Sequence, residues 1–524
     1  MTEPRAPRWG AVVLALATAL TFAPALFAGF LGYDDDWLVE RNPILSRGDL
    51  EALGAIFTRF DFETRFTLGG EFLPVRDLAV WLSWGVLGLS AQALHGVQLA
   101  LYVLATLAWR RVLLAVFGAT LTAELGALLF AVHPVHAESV VWLAGMKDVL
   151  ALLFTGLAVA AYARRDACAP CVAAFTLLAC FSKGVSVVIP ALLLLVDFAI
   201  ARRPRRLALA ASALVAAAAL AVHVHVGGIV GMIAEPLGGS RLTAASSMLV
   251  VFARYLGLSF FAHPHAVVYE VEALGFGDVR VLGALALFVA LAAASCFALR
   301  RGQRAYAFGL GVFLVALAPV SQVLAPLQNL MADRYLVVAV LGPMVALAAV
   351  FEALLSRERL ARLRVPVAAA LVLLVGLYGH ARAETFADPV KLYLETTERA
   401  PSRSLGPYQL AMILEAEGDL EAAEALYREA YAREPGTENA RRAGNNLGKL
   451  LYGQGRVPEA LAVYRALRAA YPDDPRVLHN LAKVLRAAGL DEEARAHEEE
   501  LERRFPRYVK ERHLPRYGPV RAPR

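Results

Sequence analysis

The sequence predicts an all-α protein in two parts: a polytopic membrane helix bundle of about eleven spans, then a soluble α-solenoid of helical repeats. Three observations point there. Hydrophobic residues make up 58% of the 524 and charged residues only 19%, against roughly 45–50% and about 25% in an ordinary soluble domain. Clusters of arginine separate the apolar runs. Beyond His380 the composition turns charged and alanine-rich, and a glycine–alanine–proline pattern recurs.

The first apolar stretch, 9–31, follows Arg5 and Arg8. It is too long for a signal-peptide core and reads as an uncleaved anchor. Further spans are expected near 93–113, 117–133, 147–163, 168–182, 184–201, 207–226, 280–299, 305–322, 335–355 and 365–380. The stretch 244–262 is interrupted by Arg254 and is read as lying along the membrane surface. The basic clusters decide this. Arg110-Arg111, Arg164-Arg165, Arg202 to Arg206, Arg300 to Arg304 and Arg357 to Arg364 belong on the cytoplasmic side. With the N-terminus inside and 244–262 not crossing, all of them fall there; a crossing would send the last two outside. The net charge of +6 is therefore an orientation signal and not a nucleic-acid footprint.

The membrane part is read as 1–380. Its outward surface would hold a first loop at 32–92, the turn from His133 to Lys147, the turn at Lys183, the His263–His265 segment and the segment from Gln328 to Arg334. The polar residues that topology does not explain thus gather on one face, which is an active-site pattern. Of the four cysteines, Cys168 and Cys171 form a Cys-x-x-Cys match at a cytoplasmic helix end. Without a second pair they read as packing cysteines.

After a connector at 381–403, residues 404–506 repeat. Gly418, Gly455 and Gly489 lie 37 and then 34 residues apart, each followed five residues later by Ala423, Ala460 or Ala494. Pro435, Pro472 and Pro506 keep the same offset. This is the 34-residue tetratricopeptide period with a small insertion around Thr437 to Ala440. Glycine permits the turn, alanine lets the two helices approach, and proline ends the second helix. Three repeats are about the minimum for a stable stack. The basic tail, 507–524, is assigned no structure.

Asp34, Asp35 and Asp36 stand directly after the first apolar run. Ionised carboxylates near hydrocarbon are costly and repel one another. They can act as a general base on a hydroxyl or stabilise a cationic sugar-like transition state; the structural alternative is helix capping. His133-Pro134-Val135-His136 with Glu138 has a spacing open to zinc, but Pro134 interrupts helical presentation. Hydrogen bonding to a polar substrate, or ordering of the loop, is the favoured role. Lys147 and Lys183 suit an anionic ligand such as phosphate, with interface anchoring as the alternative. Asp333-Arg334 is either a buried ion pair or a phosphate-binding arginine.

In this order the residues resemble a known family. Asp34-Asp35 with Val39 and Asn42-Pro43, Phe72 to Arg76 (FLPVR), His133 to Trp142 followed by Lys147-Asp148, Phe181 to Gly184 (FSKG) and Ala332 to Tyr335 (ADRY) are similar to motifs of GT-C-type membrane glycosyltransferases joined to tetratricopeptide repeats, the TMTC-type protein O-mannosyltransferases. Leu73 stands where arginine is usual. The resemblance implies a GT-C-like fold and inverting transfer of a sugar, with mannose expected, from a polyprenyl-phosphate donor to a hydroxyl. Asp34 or Asp35 would be the base, with Asp36 leaving the register open by one. Arg334, Lys183 and Lys147 would meet the donor phosphate. His133, His136, Glu138, Asp36 and Arg76 would line the substrate side.

Physical chemistry agrees with that scheme. A lipid-phosphate donor comes from within the bilayer and needs interfacial cations. Phosphate leaves readily once neutralised, so no metal or other cofactor is obligatory. A hydroxyl acceptor benefits from a carboxylate base. The repeats offer a concave surface to a polypeptide, which favours protein over glycolipid as acceptor; the resemblance implies Ser or Thr of an exported protein. The alternatives are a transferase acting on a glycolipid or envelope glycan, and a non-catalytic membrane scaffold. With no retrieval signal at the C-terminus, the expected location is a bacterial inner membrane with the N-terminus cytoplasmic and the repeats periplasmic.

Overall fold

A computed structural model describes residues 8–511 except 33, 89, 165, 232–233, 262–263 and 324–325. Arg5, Arg165, His263 and the tail beyond 511 lie outside the described residues. Those that are described form helices, turns and loops, with no strand among them. The chain divides into two compact units, Met1–Asp388 and Pro389–Arg524.

In the first unit, five helices are long and apolar enough to cross a membrane: Ala91–Phe117, Leu143–Ala163, Arg206–Val230, Val279–Arg300 and Leu360–Ala387. A sixth arises if Asp333–Ala339 and Leu341–Leu355, bent by 52°, make one span. About eleven were expected; five, or six with the bent pair, are long and apolar enough to be candidate spans. Five further apolar helices, Trp9–Thr21, Leu121–Ala131, Ala169–Ser182, Gly184–Ile200 and Ala305–Val320, have 10–17 residues. At ~1.5 Å per residue they fall short of a ~30 Å hydrocarbon core. The first of them is cut off at Thr21 by a turn, Ala23–Phe27, that carries Pro24. Helix Arg241–Leu258 covers most of 244–262 and is not among the candidate spans.

Close packing uses small residues, as between membrane helices. Gly309 and Gly342 bring two helix backbones into contact: a Cβ on Gly309 would lie 2.6 Å from the Gly342 carbonyl oxygen. Gly156 faces the Trp109 indole, whose Nε1 donates to the Leu152 carbonyl at 3.1 Å. At the ends that carry the basic clusters, Arg110 pairs with Glu124, and Asp197 receives both Arg202 and the Tyr162 hydroxyl. Some residues of these basic clusters are therefore engaged in ion pairs. Cys168 and Cys171, expected to pack without bonding, are joined as a disulfide beside the first turn of helix Ala169–Ser182.

The second unit is a stack of helices. Gly418, Gly455 and Gly489 adopt φ of 91°, 75° and 74°, the left-handed conformation that ends a helix. Ala423, Ala460 and Ala494 are fully buried in its core beside Tyr427, Tyr464 and Leu485. The insertion is absorbed where Thr437 caps helix Glu438–Gly453. The stretch expected to connect the two parts is itself helical, as the end of Arg364–Ala387 and as Pro389–Arg399.

Candidate active site

The loop after the first helix is set by what each aspartate meets. Asp35 is fully buried. Its two oxygens accept the Leu31 amide at 3.2 Å and the Ala144 amide at 2.7 Å. Burial pushes its carboxyl up to about 7, against the pull of those amides. Asp34 is partly exposed and accepts the Trp37 indole N–H at 3.1 Å. Asp36 opens a wide helical turn, Asp36–Glu40, and pairs with Arg41 at 3.2 Å. Asn42 then fixes the next turn of the loop. Its amide donates to the Trp37 and Thr67 carbonyls, and its oxygen accepts from Ile44 and Leu45. Of the three adjacent carboxylates, one is buried in the frame, one is ion-paired, and Asp34 remains accessible.

The turn from His133 to Lys147 is held from below by Gln98, whose amide donates to the Ser139 and Trp142 carbonyls at 2.7 Å. A glycine is required at 145, where a Cβ would lie 2.9 Å from the Ser139 backbone. Asp35 holds the same turn through Ala144, so the first loop and this turn form one body. Gln98 was not legible in the sequence; a glutamine inside an apolar helix was the signal.

Three ion pairs engage the basic residues. Lys147 meets Glu71 at 2.8 Å, Lys183 meets Asp148, and the Arg334 guanidinium meets Glu138, which also accepts the Arg334 amide at 2.8 Å. They act on one another: the charges of Lys147 and Arg334 both reach Lys183. Burial favours a protonated Glu71, but Lys147, Arg76 and Lys183 overcome it and hold the carboxyl at about 2. Burial pushes Glu138 up, with Arg334 opposing. Trp142 and Tyr335 lie beside the Arg334 guanidinium, 5.7 and 5.5 Å from its carbon to the ring centres. Lys183, Arg334, Tyr335 and Asp148 line one cavity with apolar residues that include Leu152, Val185, Leu192, Val320 and Val338.

Other expected site residues are placed elsewhere. Arg76 does not face a substrate space: it is buried, paired with Asp77 at 2.6 Å and bonded to the Leu68 carbonyl. His136 sits fully buried between Tyr102 and Phe130, and burial drives its pKa down to about 3. It is a neutral core histidine. His133 is also buried, with one ring nitrogen against the Ser259 carbonyl and the other accepting the Val135 amide. Both histidines are thus buried, His136 among aromatic rings and His133 against backbone groups. Asp333 and Arg334 do not pair with each other. Asp333 joins His265 at 2.9 Å and the Tyr269 hydroxyl at 2.5 Å, tying down the 264–269 segment. Glu138 keeps a place in the cluster as the Arg334 partner.

Comparison with known proteins adds two findings. A tetratricopeptide repeat family profile matches residues 414–484, so the second unit carries a tetratricopeptide-repeat region. The chain is also similar to Protein O-mannosyl-transferase TMTC1 of Homo sapiens, 34% identical over 168 residues, 30% of this chain and 18% of that protein. The Mus musculus protein of the same name is 34% identical over 167 residues, 30% of this chain and 17% of its own length. The match thus spans less than a fifth of either relative.

Proposed function

We propose that this protein is a membrane glycosyltransferase that moves a mannosyl group from a polyprenyl-phosphate donor to a serine or threonine hydroxyl of an exported protein. The observation that carries this is one cavity lined by Lys183, Arg334, Tyr335 and Asp148 together with aliphatic side chains. An isoprenoid phosphate has that division of chemistry. The likeness to protein O-mannosyl-transferases supports mannose as the sugar and protein as the acceptor.

In this scheme Asp34 takes the proton of the acceptor hydroxyl. The hydroxyl oxygen attacks the anomeric carbon on the face opposite the phosphate, and the bond from that carbon to the phosphate oxygen breaks. The electron pair leaves with the lipid phosphate, whose charge meets Lys183 and Arg334, with Lys147 beside them. The sugar is inverted and Asp34 holds the proton until solvent removes it. Each cation already has a carboxylate partner, so phosphate shares these pairs. Lys147–Glu71 is the most exposed and the easiest to re-partner. The membrane is proposed to be a bacterial inner membrane, with the site and the repeats on its outer side.

The test is transfer of labelled mannose from polyprenyl-phosphate-mannose to periplasmic protein by the purified chain. Labelling by wild type and not by Asp34→Asn supports the reading. A folded wild type that transfers no sugar from any lipid-phosphate donor overturns it.

A further inference from the structure

We propose that a second cavity of the first unit, lined by Arg304 and Glu352, holds a phospholipid through a phosphoethanolamine headgroup. It shares no lining residue with the cavity of Lys183 and Arg334.

This cavity measures about 580 Å³, within the size range of small-molecule sites. It forms where helix ends meet. Thr122 lies in the first turn of Leu121–Ala131, Ala199 in the last turn of Gly184–Ile200, and Gly302 to Tyr306 turn from Val279–Arg300 into Ala305–Leu317. Glu352 comes from the last turn of Leu341–Leu355. Lys183 stands at the start of Gly184–Ile200, so the cavity and the candidate active site lie at opposite ends of that helix. The arginine cluster from Arg300 to Arg304 places the cavity at the basic rim of the bundle, where lipid headgroups and apolar helix faces meet.

Its polar groups carry both signs of charge, and each keeps an atom open. Glu352 meets Thr122 through Oε2 alone, accepting the amide at 2.9 Å and also the hydroxyl. Among the described residues nothing donates to its Oε1 and no cation pairs with it. Arg304 makes one bond, from Nη1 to the Ala199 carbonyl at 3.3 Å, and among the described residues it meets no carboxylate. The side chains of Gln303 and Tyr306, on the same lining, have no hydrogen-bond partner among the described residues. Arg304 and Glu352 thus share a cavity without pairing, and a ligand that carries both charges satisfies both. A phosphodiester suits the Arg304 fork, with the Tyr306 hydroxyl and the Gln303 amide donating to its other oxygens. A primary ammonium donates to Glu352 Oε1. An anionic headgroup would be repelled by Glu352, and a quaternary ammonium has no N–H to donate. Val350 and Leu354, one turn apart on the helix that carries Glu352, are exposed and give the acyl chains an apolar surface.

The experiment is native mass spectrometry of the delipidated full-length protein in detergent. It is titrated with phosphatidylethanolamine, phosphatidylcholine and phosphatidylglycerol of identical acyl chains, and with free phosphorylethanolamine. Phosphatidylethanolamine should bind about tenfold more tightly than the other two lipids, the effect of one charge-assisted hydrogen bond. Glu352→Gln keeps an acceptor for Thr122 and should erase the preference over phosphatidylcholine. Arg304→Ala should weaken all three lipids, and Arg304→Lys should restore them. Tyr306→Phe removes only a hydroxyl and should weaken phosphatidylethanolamine about fivefold, which keeps the test independent of how the charge variants fold. Equal binding of phosphatidylethanolamine and phosphatidylcholine by wild type overturns the proposal, as does a preference that survives in Glu352→Gln. Free phosphorylethanolamine binding as tightly as the lipid also overturns it, because the cavity would then belong to a soluble ligand.

Discussion

The Asp35 carboxylate accepts the Ala144 amide at 2.7 Å across 109 positions of sequence. That bond joins the loop after the first helix to the turn preceding Lys147, and it removes Asp35 from the surface on which Asp34 is left. Two neighbouring aspartates thereby differ, one buried in the frame and one partly exposed.

Asp34→Asn should fold like wild type and lower transfer by roughly 10²- to 10⁴-fold, the range for loss of a general base. Asp35→Ala should behave differently. It strands the buried amides of Leu31 and Ala144 at about 1–3 kcal/mol each, so its thermal midpoint in detergent should fall. Equal stability of the two variants would contradict this division of roles.

The pH dependence of stability is governed in part by the Asp35 carboxyl, raised from 3.8 to about 7. The folded state holds that proton when the unfolded chain has lost it. The contribution is complete below about pH 4 and is lost as pH rises toward 7. Glu71, held at about 2, acts in the opposite sense: its contribution is present above about pH 4.5 and lost as pH falls toward 2. Unfolding midpoints of wild type and Asp35→Asn should converge at low pH and separate between pH 4 and 7, with wild type falling. Parallel curves would show that Asp35 does not titrate there.

Lys183 and Asp148 form a buried pair, and the second Asp148 oxygen has no hydrogen-bond partner. Lys183→Met leaves an uncompensated carboxylate and should cost about 3–5 kcal/mol. Lys183→Met combined with Asp148→Leu should recover most of that stability and still fail to bind the lipid phosphate. Donor binding by the folded double variant would take Lys183 out of the phosphate site.

Gly309→Ala should be destabilising by about 1–3 kcal/mol, because the added methyl meets the Gly342 backbone at 2.6 Å. Gly283→Ala, in a helix where nothing lies within 4 Å of the new methyl, should be neutral or mildly stabilising. Thermal unfolding of the two variants side by side decides it.

The all-helical class, the membrane character and the repeats were legible because each is a local or periodic property. Apolar excess, glycine where a left-handed turn ends a helix and alanine where two helices touch all repeat along the chain. Span number was less legible: an apolar run does not reveal where a helix breaks, and Pro24 ends in a turn what hydropathy alone extends to 31. The three cations of the site were identifiable as types. Arg76 and the two histidines were not separable from them, since a polar side chain beside an apolar run can face either the interior or a cleft.

By itself the sequence determined which groups are present and in what order: three aspartates after the first helix, lysines and arginines at later turns, and a glycine–alanine–proline repeat. Only the tertiary structure decided which carboxylate faces out, which histidine is sealed between aromatic rings, and that Arg334 belongs to Glu138, 196 residues away, instead of to its neighbour Asp333. The physical reason is that ionisation, pairing and access depend on burial and on partners brought in from distant segments, and adjacent residues of like chemistry differ in nothing else.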